Sequence, residues 1–291
     1  MISVIIPTLN AESFMRPLME SLTQQTLQPD EIIIVDSESN DNTVKICQEY
    51  SNVRVLHVLK KDFDHGKTRD MALRKSKGDI VVFMTHDACP ADKYFLENLV
   101  DFLNSDKQLA VVSGRQLARK DATIMERLVR EYNYPPRSNI RTKKNIPQYG
   151  IKTYYCTDVC AAYRRDIYLK LGGFDYPLKT NEDMFFAAKA VNNGYKVGYA
   201  ANAMVVHSHN FTLKQQYDRN YIQGYEIEKH RAILGDVSAD SEGIKMVKVI
   251  SLQLLKKGNI FSFIHFGFDC CARMIGNKMG IKALKNEKMG I

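Results

Sequence analysis

The stretch Gly78-Asp-Ile-Val-Val-Phe-Met-Thr-His-Asp-Ala-Cys-Pro90 restricts the fold more than any other part of the chain. An unbroken apolar run, Ile80 to Met84, is opened by Gly-Asp and leads into a polar cluster that reaches Asp87 before Pro90. Such a run, rich in β-branched residues, reads as a parallel strand buried on both faces. In open α/β sheets, ligands collect beyond the carboxyl ends of the strands. Asp87 therefore falls where chemistry is expected.

The same unit recurs along the chain. Residues 2–6 form a strand, Pro7 to Asn10 a turn, and Phe14, Met15, Leu18, Met19 and Leu22 mark one face of a helix. Glu31-Ile-Ile-Ile-Val-Asp36 is again an apolar strand ending on a carboxylate. Helix 43–50, strand 53–58, helix 67–76, strand 79–84, helix 92–104 and strand 109–113 continue the alternation. The implied fold is α/β, a mostly parallel central sheet flanked by helices. Beyond it the pattern loosens. Tyr132 to Tyr155, with Pro135, Pro136 and Pro147, reads as a mobile loop. A strand at 159–164, a tight turn at Leu171 to Asp175, a helix from 181 or 182 to 193, short strands at 196–199 and 204–207, and a helix at 213–234 follow. A polar linker at 235–242 divides the chain into a domain of residues 1–234 and a C-terminal amphipathic, basic helical extension, 235–291.

Charge supports that division. The net charge is +8, yet from Gly243 onward nine Lys and Arg face only Asp269 and Glu287. The excess is thus concentrated in the tail, and a uniformly basic nucleic-acid-binding body is not supported. Basic residues interleaved with Ile260-Phe-Ser-Phe-Ile-His-Phe-Gly-Phe268 suit a membrane interface; packing on the domain or on a second copy is the competing reading. Six cysteines without a C-x-x-C pair or a secreted framework read as reduced, hence cytosolic. Met1 begins a strand rather than a signal peptide, and no run of about 18 apolar residues spans a bilayer.

There is no G-x-G-x-x-G after the first strand and no G-x-x-x-x-G-K-[ST], so a diphosphate would have to be held by metal and side chains. Candidates are Asp36 and Asp87 at strand ends, Asp183 at a helix start, and His207-Ser-His209, whose two imidazoles share a strand face. Asp87, Asp183 and the two histidines each have a plain structural alternative, which for the histidines is a surface or hydrogen-bonded role. Asp87 could turn the chain before Pro90, and Asp183 could complete a capping box with Thr180. Arg69, in Asp62-Phe-Asp-His-Gly-Lys-Thr-Arg-Asp70, could reach a phosphate near a helix start or could belong to a solvated charge cluster. A zinc site on Cys156 and Cys160 lacks two further ligands.

Together these pieces resemble the GT-A fold nucleotide-diphospho-sugar transferases, specifically the inverting family 2 glycosyltransferases. The matching motifs are Val4-Ile-Ile-Pro-Thr-Leu-Asn10, Glu31 to Thr43, Gly78 to Asp87, Gly172-Gly-Phe-Asp175 and Asn181-Glu-Asp183, in family order. Phe63 to Asp70, Thr85-His-Asp-Ala88 and Val206-His-Ser-His209 further resemble the bacterial rhamnosyltransferase branch. The resemblance implies that Pro7, Thr8, Asn10, Asp36, Arg69, His86, Asp87 and Glu182 contact the nucleotide sugar. It implies that Asp183 is the catalytic base and that Asp87 with His207 binds a divalent metal, Mg2+ or Mn2+. Thr85 and His86 replace the usual first two residues of the acidic D-x-D signature. The implied reaction moves a sugar, L-rhamnose from dTDP-rhamnose, to a hydroxyl of a lipid-linked surface glycan. The enzyme would sit peripherally on the inner membrane face through residues 243–291, with a homo-oligomer as a further possibility. A UDP-hexose or UDP-HexNAc donor, a nucleotidyltransferase and a non-catalytic nucleotide-sugar-binding module are the alternatives.

Overall fold

The computed structural model describes residues 1–235, 237 and 240–289, with the backbone alone at 240 and 241. In chain order the elements are β1 (Ile2–Thr8), α1 (Glu12–Thr23), β2 (Glu31–Asp36), α2 (Thr43–Cys47), β3 (Val53–His57), α3 (His65–Lys75), β4 (Ile80–Met84) and β5 (Cys89–Pro90). Then come α4 (Phe95–Asn104), β6 (Leu109–Leu117), α5 (Ile124–Asn133), β7 (Asn139–Arg141), α6 (Ile146–Tyr149), β8 (Cys160–Arg164), α7 (Arg165–Lys170) and α8 (Glu182–Asn192). The chain closes with β9 (Lys196–Val206), α9 (Leu213–Lys229), α10 (Arg231–Leu234), α11 (Asp240–Lys256) and α12 (Ile260–Met289).

One sheet runs in the order β3-β2-β1-β4-β8-β6-β9-β5, with β7 on β9. The α/β reading stands, and its parallel pairing is confined to β3-β2-β1-β4 and to β6 with β9. Strand β8 runs antiparallel between β4 and β6, so β6 and β9 point the same way as β1. The carboxyl ends of β1, β2, β4, β6 and β9 therefore share one edge with the start of β8.

Alternation along the strands builds two cores. Val4, Ile6, Val82 and Met84 face α1 and α4, which contribute Met15, Leu18, Leu22, Phe95 and Leu99. Ile5, Val81 and Phe83 face α3 and α8 through Ala72, Leu73, Phe185 and Phe186. Each of the large apolar side chains among them contributes roughly 1.5–3 kcal/mol relative to exposure. The turn at Gly172 and Gly173 is as expected: both have positive φ, and a Cβ on Gly173 would lie 2.5 Å from Asp70 Oδ1.

Three expectations change. Residues 132–155 are not a mobile loop: β7 pairs with β9, and the buried Arg141 guanidinium donates to the carbonyls of Lys152 and Tyr155. The two short strands at 196–199 and 204–207 are one strand, whose pairing with β6 slips where Ala200 faces Gly114 but Met204 faces Arg115. Gly114 fits there because a Cβ would sit 2.6 Å from the Ala203 carbonyl oxygen. Of the linker at 235–242, residues 236, 238 and 239 lie outside the described residues, as do 290 and 291 of the tail, and α11 begins within the linker at Asp240.

Candidate active site

At the carboxyl end of β2, Asp36 organises the loop that follows. Its oxygens accept hydrogen bonds from Thr8 Oγ1 at 3.1 Å, the Ser39 amide at 2.9 Å and the Ser39 hydroxyl. Ser39 Oγ in turn accepts from the Asn10 amide, and Asn10 Oδ1 accepts from the Asn40 amide. Asn10 and Glu38 take left-handed φ values of 48° and 61° to close this loop. Asn, with a short polar side chain, tolerates that conformation better than most residues. Pro7, Thr8, Asn10 and Asp36 thus come together. His86 joins them, its ring nitrogen 3.4 Å from the Pro7 carbonyl oxygen.

One strand further along the edge, Asp87 meets two histidines. Its carboxylate lies 3.4 Å from His207 Nε2 and 3.2 Å from His209 Nε2, and the two imidazole nitrogens are 3.0 Å apart. The three potential ligand atoms lie within 4.8 Å of one another. Burial opposes the Asp87 charge, but the hydrogen bond and charge of His207, with Thr85 and His86, together outweigh it and hold the carboxyl well below its ordinary range. Burial and the His207 charge push the His209 imidazole down to about 4, so at neutral pH it is an uncharged potential ligand. Gln116 Oε1, 2.9 Å from His207 Nδ1, orients that ring, and Gln116 is itself held by Arg130. Two imidazoles and a carboxylate form a donor set for a divalent cation with open positions.

Behind the start of β8 lies an acidic cluster. Asp183 Oδ2 accepts from the Asp158 amide at 3.0 Å and Oδ1 from the Met184 amide at 2.7 Å. The capping-box alternative does not form: Asn181, at φ 67°, is the N-cap of α8 and makes no side-chain cap bond. Burial, then the charges of Glu182 and Asp158, raise the Asp183 carboxyl well above its ordinary value. Asp158 is itself pushed up to about 7, by burial and against the pull of Arg69. Arg69 is 4% exposed, with Glu182 at 3.1 Å and Asp158 at 3.4 Å. Its guanidinium is thus engaged by carboxylates at the base of the site.

The two clusters are joined side by side. Gln116 donates to Thr157 Oγ1 at 3.4 Å, next to Asp158, and the Thr85 amide reaches the Val159 carbonyl oxygen. Sequence reading left Asp158 and Gln116 unassigned and His209 without a committed role. Asp158 precedes a strand instead of following one, which is where an antiparallel strand brings a residue to this edge.

Fold and site together define a glycosyltransferase of the GT-A fold. The Glycosyl transferase family 2 profile matches residues 3–172, and the chain belongs to that family. It is 38% identical over 281 residues to the O-antigen chain rhamnosyltransferase RfbN of Salmonella typhimurium, spanning 96% of this chain and 89% of that one. With the O-antigen chain rhamnosyltransferase WbaN of Salmonella anatum the identity is 36%, over 96% and 88%. Among solved structures, the mannosyltransferase PcManGT of Pyrobaculum calidifontis, in complex with GDP-Man and Mn2+, superposes with a TM-score of 0.63 at 18% identity, covering 98% of this chain and 86% of that one.

Proposed function

We propose that this enzyme transfers L-rhamnose from dTDP-rhamnose to a hydroxyl of a growing, lipid-linked O-antigen chain, with inversion at the anomeric carbon. The observation that carries this reading is the shared sheet edge, where a carboxylate of raised proton affinity, Asp183, is linked through the Asp158 amide, Thr157 and Gln116 to the Asp87, His207 and His209 donor set. The rhamnosyl donor and the O-antigen acceptor are taken from the two Salmonella relatives.

The loop ordered by Asp36, with Pro7, Thr8, Asn10 and His86, holds the nucleotide. Two backbone amides fix the Asp183 carboxylate. It takes the proton of the acceptor hydroxyl as that oxygen bonds to the anomeric carbon and the bond from that carbon to the diphosphate oxygen breaks. The nucleoside diphosphate leaves with the electron pair. A divalent cation held by Asp87, His207 and His209 would supply positive charge at the departing diphosphate. Two imidazoles favour Mn2+ over Mg2+, which prefers an all-oxygen shell. Arg69, Glu182 and Asp158 set the charge around the base.

We further propose that residues 1–234 form the catalytic domain and that the extension lies on the inner membrane face. Phe261 is 90% exposed, and Ile260 and Phe268 are 61% and 60% exposed, beside the exposed Lys256 and Lys257. No helix among the described residues is long and apolar enough to cross a membrane, which suits peripheral contact.

Thermal stabilisation by a panel of nucleotide sugars, with Mn2+ or Mg2+, tests the donor, because selective binding stabilises by mass action. The largest shift is expected with dTDP-rhamnose and Mn2+. Equal shifts with UDP-hexoses would overturn the donor assignment.

A further inference from the structure

Two arginines flank the Asp87, His207 and His209 cluster, each stacked on a ring that touches a histidine of the site. Phe211 lies 5.0 Å from the His209 ring, and the Arg219 guanidinium is 4.4 Å from the Phe211 centroid. Phe14 lies 5.7 Å from the His86 ring, and the Arg119 guanidinium is 5.4 Å from the Phe14 centroid. A cavity of about 300 Å³ opens beside the cluster, with Arg119, Ser208, His209 and Phe211 on its wall and Asp121 as its one acid.

The charges around Arg219 are not balanced locally. Arg130 pairs with Glu126 and Arg273 with Asp269, each one helical turn away. Among the described residues Arg219 has no carboxylate within ion-pair distance and its guanidinium donates no hydrogen bond. Desolvation and the nearby charges of Arg273 and Arg130 disfavour its charged form. Among the described residues Arg119 reaches one carboxylate, that of the exposed Asp121, at 3.8 Å. Stacking fixes the plane of a guanidinium while leaving its N–H fork free, the geometry that grips phosphate oxygens with two parallel bonds.

We propose that Arg219 and Arg119 form a clamp for a diphosphate beside the cation donor set. This rests on the nucleotide-sugar reading above, in which a diphosphate is the leaving group. The clamp positions that group and shares its negative charge with the cation. A diphosphate-linked acceptor carries the same chemistry, and kinetics separate the two sources: Arg219→Met raises KM for the donor if the donor is gripped, and KM for the acceptor if the acceptor is.

The test is calorimetric titration of the full chain, with Mn2+, by inorganic pyrophosphate, dTDP and thymidine. Arg219→Met and Arg119→Met are each expected to weaken pyrophosphate and dTDP about tenfold or more while leaving thymidine unchanged. Arg219→Lys, which keeps the charge but loses the fork, is expected to fall between. Wild-type affinity for both ligands in both Met variants would overturn the clamp alone. Arg219-dependent binding of pyrophosphate without any binding of dTDP would support the clamp and overturn the nucleotide-sugar reading. Binding of neither by the wild type would overturn both.

Discussion

Asp183 shows how a side chain legible as chemistry depends on one that is not. Its position at a helix start is plain in Asn181-Glu-Asp183, but its proton affinity comes from burial, Glu182 and Asp158. Asp158 has nothing in the sequence to mark it, because the search for carboxylates follows the ends of strands and this one precedes β8. Its buried carboxyl holds a proton up to about 7 against an ordinary 3.8. Between those values the folded chain binds more protons than the unfolded one, so this group's contribution to stability falls as pH rises through that window. The charge on Asp158 is one of the causes that raise the Asp183 carboxyl. In Asp158→Asn the neighbouring negative charge is gone, and the acid limb of the kcat profile is expected to move to lower pH. An unmoved limb would mean that Asp158 does not act on the base. For Arg69 the sequence left a phosphate contact and a solvated charge cluster open; its guanidinium is buried among carboxylates, which excludes the solvated cluster.

At the level of elements, the strands that carry the site were legible because they are buried on both faces and so read as continuous apolar runs. The elements that escaped are held by partners distant in sequence. β7, Asn139-Ile-Arg141, carries no strand pattern of its own and is fixed by β9 and by Arg141. The docking of α12 on α9 depends on glycines that no hydrophobic period reveals. A Cβ on Gly276 would lie 2.4 Å from the Tyr217 carbonyl oxygen, one on Gly280 2.0 Å from that of Tyr221, and one on Gly224 2.3 Å from that of Asn277. The helix backbones touch at these points. Gly280→Ala is therefore expected to destabilise by about 1–3 kcal/mol. Gly267→Ala, in the same helix with nothing within 4 Å, should stabilise slightly. Chemical denaturation of both variants checks this; equal stabilities would contradict the close packing.

Across the whole molecule, the tail is both a packed element and an exposed one. Ile250, Leu254 and Phe266 bury against Leu128 and Val129 of α5. Deleting 243–291 would bare that surface, so substitution is the cleaner probe of membrane contact. Phe261→Ser with Lys256→Ser and Lys257→Ser is expected to lower co-flotation with anionic vesicles several-fold at unchanged thermal stability; undiminished flotation would move the contact elsewhere. Catalysis as proposed depends on the single edge at which five strand ends and the start of β8 meet. Its most direct test is Asp183→Asn, with dTDP-rhamnose affinity and sugar transfer measured on the same preparation. Donor affinity is expected to stay within about twofold while transfer falls about 10²- to 10⁴-fold, the usual contribution of a general base. Transfer at the wild-type rate in that variant would contradict the assignment of Asp183 and with it the mechanism.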